Sequence, residues 1–281
     1  MGTLLAFFPH PDDETFCAAG VMAAAVELGA VVTVVSATRG EAGDSSIPGL
    51  DDPDALGAAR EDELREAMRR LGVGDVRFLG FRDSGLGDGQ REDRRIFTRV
   101  PVTEAVPTLV PIIRETRPEV VLTFGPDGMY GHPDHLHAHE IGVHAVIAAA
   151  DPAVDAPTTL APWETRSLYF ATIPREDMLA MLERPNSPLE FVPIAARANL
   201  GTPRADITHT VDIRPWASEK RAAIEAHRTQ TGEGGPLASI PPEERNRRLE
   251  HEYFVRFPLP WDRTHDENDI IEKLARRTDS R

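Results

Sequence analysis

Residues 9–14 read Pro-His-Pro-Asp-Asp-Glu and follow directly on the apolar run Thr3-Leu4-Leu5-Ala6-Phe7-Phe8. One imidazole and three carboxylates thus stand where a buried strand runs out. Adjacent acids repel one another, and burying them is costly unless a cation neutralises them. A second group lies far along the chain, where His132, His135, His137 and His139 fall within eight residues. Divalent zinc favours imidazole nitrogen and carboxylate oxygen, and its catalytic sites use three protein ligands plus water. The acids of 10–14 and the histidines of 132–139 together supply such a set. Neither segment does so alone, since an isolated His-x-x-His equally fits a polar loop or a helix start.

The two segments meet only if the elements between them bring two strand ends together. β-Branched or aromatic runs recur at 3–8, 31–35, 76–79, 120–124 and 167–171, and helical spacing fills 15–28, 55–71 and 103–116. Strands apolar on both faces and separated by helices predict a sheet covered on both sides. The expected fold is α/β: a Rossmann-like, doubly wound, mostly parallel sheet. Such sheets bind ligands outside the carboxyl ends of their strands. The polar clusters lie there: 10–14 after the first strand, Thr38-Arg39-Gly40-Glu41 after the second, Arg82-Asp83-Ser84-Gly85 after the third, and 125–135 after the fourth. A dinucleotide site would need G-x-G-x-x-G in the first strand-to-helix turn, where acids that repel phosphate stand instead.

The second half is less regular. Pro-rich stretches at 152–162 and 185–193 and a Gly/Pro stretch at 231–242 read as loops, 207–213 as a short strand and 216–228 as a helix. Residues 1–175 are therefore expected to form the catalytic core, and 176–281 a C-terminal extension packed on it within a single overall domain.

With 46 acids against 31 bases the 281-residue chain carries a net charge of −15, which disfavours a nucleic-acid partner. No apolar stretch reaches the length of a transmembrane segment, and the start lacks the basic and apolar regions of a secretory signal, so a cytoplasmic protein is expected. Cys17 is alone, which excludes an intrachain disulfide and a cysteine-based zinc cluster. It reads as a small buried hydrophobe, although it stands four residues after Asp13. The sequence leaves the oligomeric state open, a homo-oligomer included.

Taken together, the segments His10-Pro11-Asp12-Asp13-Glu14, Thr38-Arg39-Gly40-Glu41, Arg60-x-x-Glu63, Asp83-Ser84-Gly85 and Tyr130-Gly131-His132-Pro133-Asp134-His135 resemble the PIG-L/LmbE family of zinc-dependent de-N-acetylases. The likeness covers about residues 3–140, with a weaker echo at 220–230 in Ala226-His227-Arg228-Thr229-Gln230, and is nearest the mycothiol-type branch. It implies zinc held by His10, Asp13 and His135, with Asp12 as general base, His132 polarising the oxyanion and Asp134 orienting His132. Spacing alone does not tell Asp12 from Asp13. Tyr130 matches a mobile tyrosine at the pocket mouth, and Arg60 and Asp83 match positions that contact a sugar substrate. Arg60 also fits a solvated helix face, and Glu14 fits either a hydrogen-bond partner of His10 or an acid favoured at a helix start.

The activity implied is removal of acetyl from a small N-acetylated, N-acetylglucosaminyl-type conjugate. Alternatives are cleavage of a mycothiol S-conjugate amide, and a metal- or sugar-binding module without catalysis. Binding alone needs neither Asp12 nor His132, which argues against the last. Ferrous iron suits the same donors as zinc. Two positions depart from the family pattern: Pro9 replaces a common Ala, and Asp127-Gly128-Met129 a common Asn-Gly-Gly. His137 and His139 read as solvent-facing or packing residues, although His139 lies one helical turn beyond His135. His144, His209, His251 and His265 read as structural.

Overall fold

The computed structural model describes residues 2–45, 47–86, 93–154, 157–184, 187, 189, 190, 192, 197, 200–232, 242–262 and 270–275. Strands β1 (Thr3–Phe8), β2 (Val31–Ser36), β3 (Asp75–Phe78), β4 (Val120–Phe124) and β5 (Ser167–Thr172) run parallel. β6 (His209–Asp212) and β7 (His251–Phe257) extend the same sheet antiparallel, in the order β3-β2-β1-β4-β5-β7-β6. The order reverses between β1 and β4, which pair directly. Their carboxyl ends therefore border the crevice at the topological switch point, where doubly wound sheets bind ligands.

Side chains that alternate along β1 and β4 feed two separate cores. Leu4, Ala6, Phe8, Leu122 and Phe124 pack under α1 (Asp13–Glu27), α2 (Pro53–Leu71) and, later in the chain, α7 (Ala217–Ala226). Leu5, Phe7 and Val121 pack under α3 (Val102–Thr116) and, beyond the short α4 (Gly128–Gly131), α5 (Pro133–Ala150). A parallel sheet covered on both faces is the expected arrangement. α2 begins where the Asp52 carboxylate accepts the Ala55 N–H with Pro53 in the first turn, and ends on Gly72 at φ 78°.

The third strand lies one residue earlier than its apolar run suggests, and the strand expected at 207–213 is shorter. The remaining elements are α6 (Arg175–Leu182), α8 (Arg228–Thr231), α9 (Pro242–Arg247) and α10 (Ile270–Ala275). The helix expected over 216–228 breaks at His227 (φ −81°, ψ 60°), between α7 and α8. β7 pairs with β5 from Leu168–Phe257 to Thr172–Tyr253, so residues beyond 175 supply two strands of the sheet.

Candidate metal centre

After β1 the backbone turns sharply. Asp12 sits at φ 136°, ψ −30°, a region that side-chain-bearing residues rarely adopt, and caps α1. This turn places His10 and Asp12 over the end of β1 and Asp13 in the first turn of the helix. After β4, His132 caps α5 with Pro133 in its first turn, and His135 follows one turn later.

Asp13 joins the two segments. Its Oδ2 lies 3.2 Å from His10 Nδ1 and its Oδ1 3.4 Å from His135 Nε2. Donor atoms of His10, His132 and His135 lie within 4.8 Å of one another, all three buried. The outer nitrogens fix the ring tautomers. His135 Nδ1 bonds the Gly128 carbonyl at 3.2 Å, so its Nε2 offers a lone pair; the ring stacks on Phe124. His132 Nδ1 instead accepts the Asp134 N–H at 3.1 Å, so in the neutral ring Nε2 carries the proton and is a donor. His10 Nε2 faces Asp134 Oδ2 at 3.1 Å and Asp83 Oδ1 at 3.4 Å. That carboxylate–imidazole contact is the kind that orients a metal-binding histidine.

Electrostatically the pocket is built for a cation. Burial opposes a charge on His10, but Asp83, with Asp13 and Asp134, outweighs it and raises the imidazole well above its ordinary value. Burial pushes His132 down to about 3 and His135 well below the usual range, and the neighbouring His10 adds to both shifts. Both rings are neutral, the form required for a ligand or a neutral donor. Burial raises the Asp13 carboxyl against the pull of His10. Asp134 Oδ1 is buried without a hydrogen-bond partner among the described residues. Neutral imidazoles, converging carboxylates and an orphaned oxygen make a cluster able to hold a divalent metal.

Asp12 has a different partner. Arg60, buried on α2, donates to the Gly40 and Pro11 carbonyls at 2.9 Å each and lies 3.2 Å from Asp12 Oδ2. Gly40, at φ 67°, makes room for it, since a Cβ there would come within 2.4 Å of the guanidinium. Burial pushes the Asp12 carboxyl up to about 7 despite Arg60, with Asp13 contributing. Asp83 accepts the Gly85 and Ala42 N–H groups at 2.8 and 3.2 Å, and despite its burial, His10, with the Gly85 bond and Arg60, holds it well below the usual carboxylate range. The Tyr130 hydroxyl stands 3.5 Å from His135 Nε2, beside Met129 at φ 63°. Asp134 reaches His132 through its backbone amide, whereas its carboxylate serves His10 and the Ser84 N–H.

The other described histidines lie apart from the cluster. His139 Nδ1 bonds the Phe124 carbonyl, and His137 Nε2 bonds that of Val100 against the Phe97 ring. His144 is exposed, His209 and His251 are half-buried, and His265 lies outside the described residues. Cys17 is buried in the core under α1. The role of His227 is not legible in the sequence. It is fully buried, 3.2 Å from Thr15 Oγ1 and 3.6 Å from Glu14 Oε1. Glu14 does not serve His10; its Oε2 accepts the Asp12 N–H at 3.1 Å. The one sequence signal is the echo at 226–230, which carries no information about a partner near residue 14.

Fold and site together define an α/β protein that gathers side chains able to hold a metal at the switch point of its sheet. Residues 5–146 match the family described as PIG-L, GlcNAc-PI de-N-acetylase, and the chain belongs to that family. Among its relatives is a 1D-myo-inositol 2-acetamido-2-deoxy-alpha-D-glucopyranoside deacetylase of Streptomyces avermitilis. It is 39% identical over 266 residues, covering 89% of this chain and 90% of that protein. A protein of the same description from Streptomyces griseus is 41% identical over 84% of this chain and 77% of its own length. The N,N'-diacetylchitobiose deacetylase of Pyrococcus horikoshii superposes with a TM-score of 0.67 at 21% identity, covering 92% of this chain and 84% of that one, and supports the fold. The chain is a hydrolase of the deacetylase class, in the mycothiol-type branch that its motifs resemble.

Proposed function

We propose that this protein removes the acetyl group from a glucosaminyl-inositol conjugate, 1D-myo-inositol 2-acetamido-2-deoxy-alpha-D-glucopyranoside or a near relative, using bound zinc. The relatives' substrate supports the sugar class. The metal reading rests on one observation, the Asp13 carboxylate bridging His10 and His135. His10, Asp13 and His135 hold the ion, while His132 stays outside the ligand set because its Nε2 carries a proton rather than a lone pair. The bound ion supplies Lewis acidity, which makes water acidic near neutral pH and polarises an amide carbonyl.

The chain's own groups do the rest. Asp12 accepts a proton from the attacking water as the oxygen bonds to the acetyl carbon. The His132 Nε2–H donates to the carbonyl oxygen as negative charge develops there. Asp134 fixes that imidazole through its amide. The C–N bond then breaks, Asp12 passes its proton to the departing nitrogen, and acetate and a primary amine leave. Tyr130 stands beside His135, and Arg60 and Asp83 are the proposed sugar contacts. The test is amine release from 2-acetamido-2-deoxy-glucopyranosyl inositol by chelated and zinc-restored protein, with Asp12→Asn in parallel. Restored protein should release amine and acetate in equal amounts, and Asp12→Asn should keep zinc but lose about 100-fold or more in kcat. Absence of amine release by the zinc-loaded protein would exclude the reading.

A further inference from the structure

Asp12 is held from two sides, and both lead to the short segment where α7 breaks. On one side stands Arg60. One turn further along α2, Glu63 accepts the Thr229 N–H at 2.9 Å and the Thr229 hydroxyl at 2.6 Å. On the other side the Asp12 N–H donates to Glu14 Oε2 at 3.1 Å, and the Thr15 hydroxyl donates to Glu14 Oε1 at 2.5 Å. That hydroxyl is 3.2 Å from His227 Nε2. Having given its own proton to Glu14, it accepts there and His227 donates. His227 Nδ1 meets no hydrogen-bond partner among the described residues, so Nε2 is the nitrogen that anchors the ring. Glu14, Thr15 and His227 are all buried.

We propose that His227 is a positioning residue for Asp12, acting through Thr15 and Glu14 to hold the strained turn at φ 136°. The inference rests on the reading of Asp12 as the general base. A residue in that region of backbone space persists only where its surroundings over-determine it, and this relay supplies the constraint. Without it the turn relaxes, and the carboxylate leaves the position from which it takes a proton. Substrate and metal contacts remain, so the loss falls on kcat.

The experiment compares the full-length parent with His227→Leu, His227→Gln, Thr15→Val and the double variant His227→Leu/Thr15→Val. Readouts are kcat, KM, zinc content and amide hydrogen exchange of the peptide covering residues 8–16. His227→Leu and Thr15→Val should each lower kcat by about 10- to 100-fold, with KM and zinc content unchanged and exchange at 8–16 accelerated. His227→Gln, which can donate to Thr15, should recover most of the loss. The double variant should be no worse than either single, because both cut one relay. An unchanged kcat, an additive double variant, or a loss confined to KM or zinc content would overturn the proposal. An inactive parent would refute the functional reading instead, and exchange at 8–16 would still decide whether His227 holds the turn.

Discussion

His132 and His135 stand three residues apart, yet they present opposite chemistry to the same pocket. The backbone partner of each outer nitrogen decides this: an N–H at His132 leaves a donor facing inward, and a carbonyl at His135 leaves a lone pair. His135→Ala should therefore lose zinc, since two protein ligands fall short of a catalytic site. His132→Ala should keep zinc and lose about 100-fold or more in kcat, the size of a lost oxyanion donor. His139→Ala should change neither, because its ring serves the Phe124 carbonyl and the Phe170 ring. Zinc titration and steady-state kinetics on the three variants check this; zinc lost from His132→Ala but kept by His135→Ala would reverse the assignment. The sequence exposed this cluster because its members lie in two short motifs. It could not separate Asp12 from Asp13, which differ only in what the turn at φ 136° points them toward: a guanidinium for one, two imidazoles for the other. Nor could spacing join Glu14 to His227, since that contact exists only after α7 has docked.

At the scale of elements, the parallel half was readable, and so was the short strand that became β6 within 207–213, whereas β7 was not. Each early strand carries its own β-branched or aromatic run, and α1, α2 and α3 their own helical spacing, whereas α5 lies behind the histidine motif that marks its start. β7, which carries Glu252 and Arg256 within its run, is defined by the edge of β5 that it extends, and β6 then pairs with β7. A buried ion pair ties the antiparallel half to α1. Lys220 Nζ donates to Glu252 at 2.7 Å and to the Phe16 carbonyl at 2.9 Å, while Glu252 also accepts the Gly20 and Val21 N–H groups. Gly20 permits the approach, since a Cβ there would lie 2.5 Å from the Ile213 side chain. Both ions are almost wholly buried. Glu252→Ala strands an ammonium in the core and should cost about 3–5 kcal/mol. Lys220→Met combined with Glu252→Leu should recover much of that, because replacing both charges leaves none unpaired. Urea denaturation measures it; a loss under about 1 kcal/mol for Glu252→Ala would mean that the pair is solvated.

Across the whole molecule, folding and metal binding draw on different parts of the chain. The two cores lie above and below the sheet and contain none of the proposed ligands. The crevice, by contrast, gathers Asp12, Asp13, Glu14, Asp83 and Asp134, all buried. Arg60 and the His10 imidazole offset only part of that charge, and the net charge of −15 offers no general relief. The native state should therefore fold without metal but gain stability from it. A ligand that binds only the folded state contributes about 2.7 kcal/mol at a hundred times its dissociation constant and about 4.1 kcal/mol at a thousand times. Chelated protein should keep its far-ultraviolet circular dichroism, melt several degrees lower, and regain its Tm as zinc is added. Asp13→Ala, which removes the bridge between His10 and His135, should melt at a temperature that zinc does not change. Collapse of the secondary structure on chelation would make the metal a folding element rather than a catalytic one. A parent Tm insensitive to zinc would mean that the acids of the crevice are neutralised by protons instead, as the raised Asp12 and Asp13 carboxyls would then require.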